Sequence, residues 1–139
     1  MSIPWLESMA IGVPVLDVEH QRMLDLLNST QAHVDDRNID GAQGSMAEYI
    51  DLLTTHCDRE EQLMMQHRYH RTDDHVRSHQ LAIAAAKEVP AIIAATERHH
   101  EMRQVIFDMQ NHLIRRILLD DGALAVYLDY IGLRPEDIA

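Results

Sequence analysis

The sequence predicts an all-α protein: an antiparallel up-down four-helix bundle with an extended N-terminal arm and a short C-terminal helix. Apolar residues make up 46% of the 139 residues but aromatic residues only 4%, so small and aliphatic side chains must fill the core. The chain has only five glycines and four prolines, so we expect few turns and a few long helices. Apolar residues also recur at helical spacing along four segments. We expect residues 1–139 to form one domain.

The first half of the chain divides into an arm and two helices. The first 16 residues contain two prolines and a glycine, and we expect them to form an arm that Trp5 pins to the bundle. A first helix is predicted to begin near Asp17, a favourable N-cap, and to end around 35–38. A second is predicted to follow Gly41 and to reach about His67.

The second half predicts two more helices and a tail. A third helix is expected to start near Asp73. Pro90 should end or kink it near Val89, or open the next segment, because an interior proline costs a helix about 3 kcal/mol. A fourth helix is predicted from about 97 to 119, where Asp-Asp-Gly should break it. The apolar segment ALAVYLDYI is expected to form the last helix.

Charge and cysteine content exclude several classes of function. The net charge is −11, and such an acidic surface repels nucleic acid and anionic lipid, so we expect neither partner. No apolar run is long enough to cross a membrane, and the N-terminal segment lacks the basic region of a secretory signal. Cys57 is the single cysteine and has no intrachain partner. These features favour a cytoplasmic location.

Ten histidines are the compositional outlier, and five of them, with one glutamate, fall at positions that helices can bring together. Two pairs are separated by four residues, which places both members on one helix face. Two further histidines come from the first and fourth helices, so all four bundle helices contribute to one site. The candidate metal ligands are His20, His56, Glu60, His75, His79 and His112.

The ligand types narrow the choice of metal. Imidazole binds iron, zinc, copper and nickel, and a carboxylate can bridge two ions. Six protein ligands exceed what one tetrahedral zinc ion accepts. The set suits two iron ions that share a carboxylate and keep an open position for a small ligand.

At these residues the chain resembles the hemerythrin family, specifically its bacterial members. The segment WLESMAIGVPVLDVEHQ is similar to the family's N-terminal arm and first ligand motif. HCDREEQLM is similar to its His-x3-Glu-Glu-x2-Met motif, HVRSH to its paired histidines, and NHLIRRI to the start of its last motif. The resemblance spans nearly the whole chain and implies a single hemerythrin-like domain.

The resemblance implies a role for each ligand. One non-haem iron would take three histidines, His75, His79 and His112, and the other would take His20 and His56. Glu60 would bridge the two irons together with an oxo or hydroxo group. The family binds dioxygen reversibly at the open position of one iron.

One expected ligand is missing from the pattern. The family has a second bridging aspartate five residues after the last histidine, where this chain has Ile117. Asp120 needs a bulge or a helix break to reach the site, while Asp108 lies one turn before His112 and is a possible substitute. Otherwise solvent fills the position. Loss of one bridge predicts weaker iron retention.

These residues leave three functions open. The leading one is a di-iron protein, not an enzyme, that binds dioxygen or a related diatomic for sensing, delivery or storage. Any signalling output would have to come from a partner protein or a fused domain. The alternative is a di-iron enzyme acting on peroxide or nitric oxide. The third is a module that holds a single iron or zinc ion.

Overall fold

The computed structural model describes residues 2–95 and 97–138, and nearly all of them outside the N-terminal arm and the last few residues are helical. No strand occurs in these two ranges, which confirms the predicted all-α class. Four long helices are followed by a π-helical segment and a short helix. They are α1 (Pro14–Asp35), α2 (Ile39–Gln66), α3 (Thr72–Ala95), α4 (His99–Arg116), the π-helical segment (Ile117–Asp121) and α5 (Gly122–Tyr130).

The four long helices pack as a bundle. α1 contacts both α2 and α4, α2 contacts α3, and the contact between α3 and α4 is the least extensive of the four. Short connections reverse the chain between successive helices, as in an up-down bundle. The apolar faces meet in a core of fully buried side chains that includes Leu24, Leu27, Met46, Leu53 and Ile106. The four-helix bundle predicted from the sequence is thereby confirmed.

The N-terminal arm lies against α1. Ile3 exchanges two hydrogen bonds with the Asn28 side chain, from its backbone N–H at 2.9 Å and to its carbonyl at 2.7 Å. Trp5 is partly buried against the core, as expected. One 3-10 turn, Glu7–Met9, interrupts the otherwise extended backbone.

The first helix begins three residues earlier than predicted. Pro14 occupies the first helical turn, where its missing N–H costs nothing and its fixed φ favours the helix. Asp17 therefore lies inside α1 and does not cap it. Its carboxylate instead accepts hydrogen bonds from the backbone N–H groups of Ile11 (2.8 Å) and Gly12 (3.1 Å), which ties the arm to the helix.

Pro90 does not end the third helix, contrary to one expectation. α3 continues to Ala95, and Val89 and Ile93 on either side of the proline are buried in the core. The side-chain amide of Gln43 donates a 2.8 Å hydrogen bond to the Pro90 carbonyl, which anchors this part of α3 to α2. Apolar packing on both sides of Pro90 outweighs the missing backbone hydrogen bond.

The Asp-Asp-Gly sequence after α4 does not break the helix either. The backbone stays helical but widens into the π-helical segment before α5, which confirms the predicted final helix. Leu124 and Leu128 of α5 pack in a second apolar cluster with Leu16, Met64 and Tyr69. Among the described residues, no helix has the length and apolar character required to cross a bilayer.

Candidate metal centre

Four of the five predicted histidines, Glu60 and one further carboxylate converge inside the bundle. α1 supplies His20, α2 supplies His56 and Glu60, and α3 supplies His75 and His79. The further carboxylate is Asp121, the last residue of the π-helical segment. All six residues are buried, none more than 5% exposed. Burial of so many ionisable groups is costly unless they pair with one another or hold a metal.

The first histidine pair lies between α1 and α2. His20 Nε2 and His56 Nε2 are 3.0 Å apart. His20 Nε2 is 2.9 Å from Asp121 Oδ2, and His56 Nε2 is 3.2 Å from Glu60 Oε2. Two imidazole nitrogens and two carboxylate oxygens therefore face a common point.

The second histidine pair comes from α3 and forms an equivalent group. His79 Nε2 lies 2.9 Å from Glu60 Oε1, and His75 Nε2 lies 2.9 Å from Asp121 Oδ1. His75 Nε2 is also 3.4 Å from Glu60 Oε1. This group again combines two imidazoles with two carboxylate oxygens.

Glu60 and Asp121 belong to both groups. Each carboxylate presents one oxygen to the His20–His56 pair and the other oxygen to the His75–His79 pair. In each group the ligand atoms lie within 4.8 Å of one another. The arrangement can hold a metal ion, and the shared carboxylates provide for two adjacent ions.

Unpartnered buried atoms support metal binding over simple ion pairing. His75 Nε2 and Glu60 Oε2 lack a hydrogen-bond partner in suitable geometry, although oppositely charged groups lie close by. A buried polar atom without a partner costs about 1–3 kcal/mol. Atoms that converge on a shared ion lie close together without having to hydrogen-bond to one another. The six residues therefore fit a metal centre.

Without an ion, the carboxylates hold protons on the imidazoles. Burial disfavours the charged form of His56, but the fields of Glu60 and Glu19 raise its pKa to about 10. Burial also disfavours the charged form of His75, but the Asp121 and Glu60 carboxylates raise its pKa to about 10. Despite its own burial, Glu60 has a pKa well below the usual range because His56 lies beside it. Metal binding must displace these protons.

Two carboxylates outside the centre orient its histidines. Glu19 Oε1 lies 3.1 Å from His56 Nδ1, and Glu61 Oε2 lies 2.9 Å from His79 Nδ1. Arg59 donates to both Glu19 oxygens at 3.2 and 3.3 Å. A carboxylate on Nδ1 fixes the tautomer whose Nε2 lone pair faces the metal. Neither residue was predicted from the sequence, although each is a direct chain neighbour of a predicted ligand.

His112 does not join this cluster. The buried positions of α4 are Met102, Ile106, Gln110 and Leu113, followed by Ile117, and they define its inward face. His112 precedes Leu113 by one residue, which rotates its side chain about 100° from that face. The imidazole is exposed and lines a cleft between α3 and α4. The structure thus separates it from the other four predicted histidines.

The proposed substitutes for the missing aspartate also lie elsewhere. Ile117 is buried in the apolar core, and Asp108 is exposed and accepts a hydrogen bond from Gln104 at 2.9 Å. Asp120 reaches only the edge of the centre, where it accepts a 2.9 Å hydrogen bond from Ser78. The expected bulge is present, but the π-helical segment delivers Asp121 to the site.

The spacing of Asp121 in the sequence could have indicated it as a ligand. It follows Arg116 by five residues, which is the spacing that the resemblance assigns to the last histidine and the aspartate. Arg116 lines the metal centre and lies near Tyr49, which is 1% exposed. The resemblance implied His112 as the fifth histidine, but the residue five positions before Asp121 is Arg116, one turn after His112.

Comparison with known proteins finds no family model that matches the chain and no matching curated relative.

Proposed function

We propose that this chain is a hemerythrin-like non-haem di-iron protein that binds dioxygen or a related diatomic molecule for sensing, delivery or storage. His20 and His56 would hold one iron, and His75 and His79 the other. Glu60 and Asp121 would bridge them. A signalling role would draw on a partner protein or a fused domain, because the described residues form the bundle and its arm.

The observation that carries this proposal is the double contact of the two carboxylates. Each of them faces both histidine pairs through different oxygens, at 2.9–3.2 Å for the closest contact in each direction. A single-ion site needs no such sharing. A mixture of imidazole and carboxylate ligands is typical of iron sites, including two-iron centres in helical bundles.

The space inside the centre favours a very small ligand. The cavity between the six residues measures about 10 Å³, comparable to one water-sized sphere. Met23, Leu53 and Leu113 line it as apolar walls. These side chains exclude bulk water and any organic substrate from the centre. Iron bound there would supply the redox chemistry for dioxygen binding.

The ligand set has one histidine fewer than the family resemblance implies. Each proposed iron would receive two imidazoles and two bridging oxygens, and neither would receive a third imidazole. Arg116 contributes a positive charge beside the centre instead. We expect this replacement to weaken iron retention relative to a five-histidine site.

Metal content and dioxygen response test the proposal together. Protein reconstituted anaerobically with ferrous iron should retain about two irons per chain after desalting. Exposure to dioxygen should change the visible absorption, and removal of dioxygen should reverse the change. Retention of only one metal ion per chain, when iron and zinc are each supplied separately in excess, would overturn the di-iron assignment and support a single-ion module.

Two histidine substitutions test the ligand assignment. His79→Ala should reduce iron retention, since His79 Nε2 lies 2.9 Å from the shared Glu60 carboxylate. His112→Ala should retain as much iron as the unmodified chain, because His112 is exposed and outside the cluster. Equal iron loss in both variants would contradict the assignment.

A di-iron enzyme acting on peroxide or nitric oxide is the second candidate. The observation that favours it is Arg116, which lines the narrow centre. Its cationic N–H donors can stabilise negative charge that develops on a reacting molecule, which reversible storage does not require. Steady-state consumption of peroxide or nitric oxide by the iron-loaded protein, abolished when iron is removed, would select this candidate. A stoichiometric, reversible response without turnover would select dioxygen binding.

A further inference from the structure

A second cavity lies next to the metal centre, in a cleft between α3 and α4, the neighbouring helices with the least extensive contact in the bundle. Its volume is about 330 Å³, which reaches the lower end of the range for small-molecule sites. Residues of α2, α3 and α4 line it. None of the six residues of the metal centre does so.

The polar lining of this cleft is cationic. His112, Arg115 and Arg116 project from the end of α4, and no carboxylate residue is among the lining residues. Within the described ranges, neither Arg115 nor Arg116 forms an ion pair, a property that they share with Arg37, Arg68 and Arg71, none of which lines the cleft. Two unpaired arginines at one cavity are notable in a chain of net charge −11. They create a local site for a negative group.

The remaining walls are apolar with two hydroxyl groups. Leu81, Ala82 and Ala85 of α3 face Met109 of α4 across the cleft. The two hydroxyl-bearing residues are Tyr49 and Ser78, which lie toward the interior. Tyr49 is buried, and Arg116 lines the same cleft. One side of the cavity therefore suits hydrocarbon, and the other suits an anion.

We propose that this cleft binds a small amphipathic carboxylate. Arg115 and Arg116 bind the carboxylate through charge-assisted hydrogen bonds, for which guanidinium geometry is well matched. The hydrocarbon part of the ligand lies against Leu81, Ala82 and Met109. The site is separate from the proposed iron ligands, and carboxylate binding requires no metal chemistry.

Arg116 connects the two sites. It lines both the cleft and the metal centre, so a carboxylate that draws its guanidinium toward the cleft changes the charge next to the centre. The cleft ligand thereby becomes a means to modulate the centre. This coupling is a consequence of the proposal, whereas the binding itself can be measured without it.

Titration calorimetry with octanoate tests the site on the full chain as purified. We expect saturable binding at one octanoate per chain. Octanol, which has the same chain without the charge, and inorganic phosphate, which has charge without the chain, should each bind at least about tenfold more weakly. Absence of saturable octanoate binding would overturn the proposal, as would phosphate binding of equal affinity.

Variants locate the binding in the cleft. Arg115→Gln should weaken octanoate binding by at least about tenfold, since it removes a charge-assisted contact at an exposed position without disturbing the core. Ala82→Leu, which fills the cavity, should do the same. Lys87→Gln removes an exposed positive charge elsewhere on α3 and should leave the affinity unchanged within twofold. Equal effects of Arg115→Gln and Lys87→Gln would refute a specific site.

Discussion

Asp121 meets His20 in the interior of the bundle, with Oδ2 2.9 Å from Nε2, although the two residues are separated by about a hundred positions in the chain. The contact depends on the π-helical segment Ile117–Asp121. A wider helical turn changes the direction of each following side chain relative to an α-helix. It places Asp121 toward the centre while Ile117, at the expected aspartate position, stays in the core.

The first prediction concerns Asp121 and its neighbour. Asp121→Asn should lower iron retention from about two ions per chain to one or fewer, because the shared carboxylate that faces both histidine pairs loses its charge and one acceptor oxygen. Asp120→Asn is the matched control and should retain both ions, since Asp120 bonds to Ser78 at the edge of the centre. Metal analysis after desalting measures both. Greater loss in the Asp120 variant would reverse our assignment.

The second prediction concerns the carboxylate behind a ligand. Glu61→Gln should weaken metal affinity by about 10–100-fold, because the Glu61 carboxylate lies 2.9 Å from His79 Nδ1 and fixes the ring for coordination. Competition with a chelator of known affinity gives the change. Glu48→Gln is a suitable control, since Glu48 is exposed on the same helix and pairs with Arg22, away from the metal centre. An unchanged affinity in Glu61→Gln would show that this contact does not orient the ligand.

The third prediction concerns the arginine beside the centre. Arg116→His should increase iron retention, because it places an imidazole five residues before Asp121, the spacing that the hemerythrin resemblance implies. Arg116→Gln separates loss of the positive charge from gain of a ligand. The rate of iron loss to excess chelator should fall in Arg116→His alone. A similar decrease in both variants would attribute the effect to charge.

The fourth prediction is a pH dependence of the metal-free chain. His56 and His75 have pKa values raised to about 10, above the ordinary 6.5. A raised folded-state pKa gives stability that is fully present below pH 6.5 and is lost as the pH rises toward 10. Thermal unfolding of the metal-free protein should therefore occur at progressively lower temperature from pH 7 to pH 10.

Two comparisons check the source of that effect. His56→Gln should flatten the pH profile, whereas His112→Ala should leave it unchanged because His112 is outside the cluster. Metal-loaded protein should not show the same decline, since bound metal requires neutral imidazoles and replaces the protons. A metal-free Tm that rises between pH 7 and pH 10 would contradict the pKa directions on which this prediction rests.

Helical periodicity and composition were sufficient to predict the bundle and much of the candidate site. Pairs separated by four residues, such as His56 and Glu60 or His75 and His79, share a helix face whatever the rest of the fold does. Their apolar neighbours identified that face as inward. These relationships are local, so the sequence alone determined the four-helix architecture and the placement of these ligands.

The orientation of α4 and of the π-helical segment after it was decided only by the tertiary structure. On a regular helix His112 and a later aspartate were plausible ligands. The π-helical segment, which residue spacing does not reveal, alters the face presented by the residues that follow it. The rotation of α4 about its axis is decided by packing, which buries Leu113 and Ile117 and leaves His112 at the surface. The same packing brings Arg116 beside the centre and directs Asp121 into it. Spacing along one helix is fixed by covalent geometry, whereas the rotation of that helix depends on contacts with all the others.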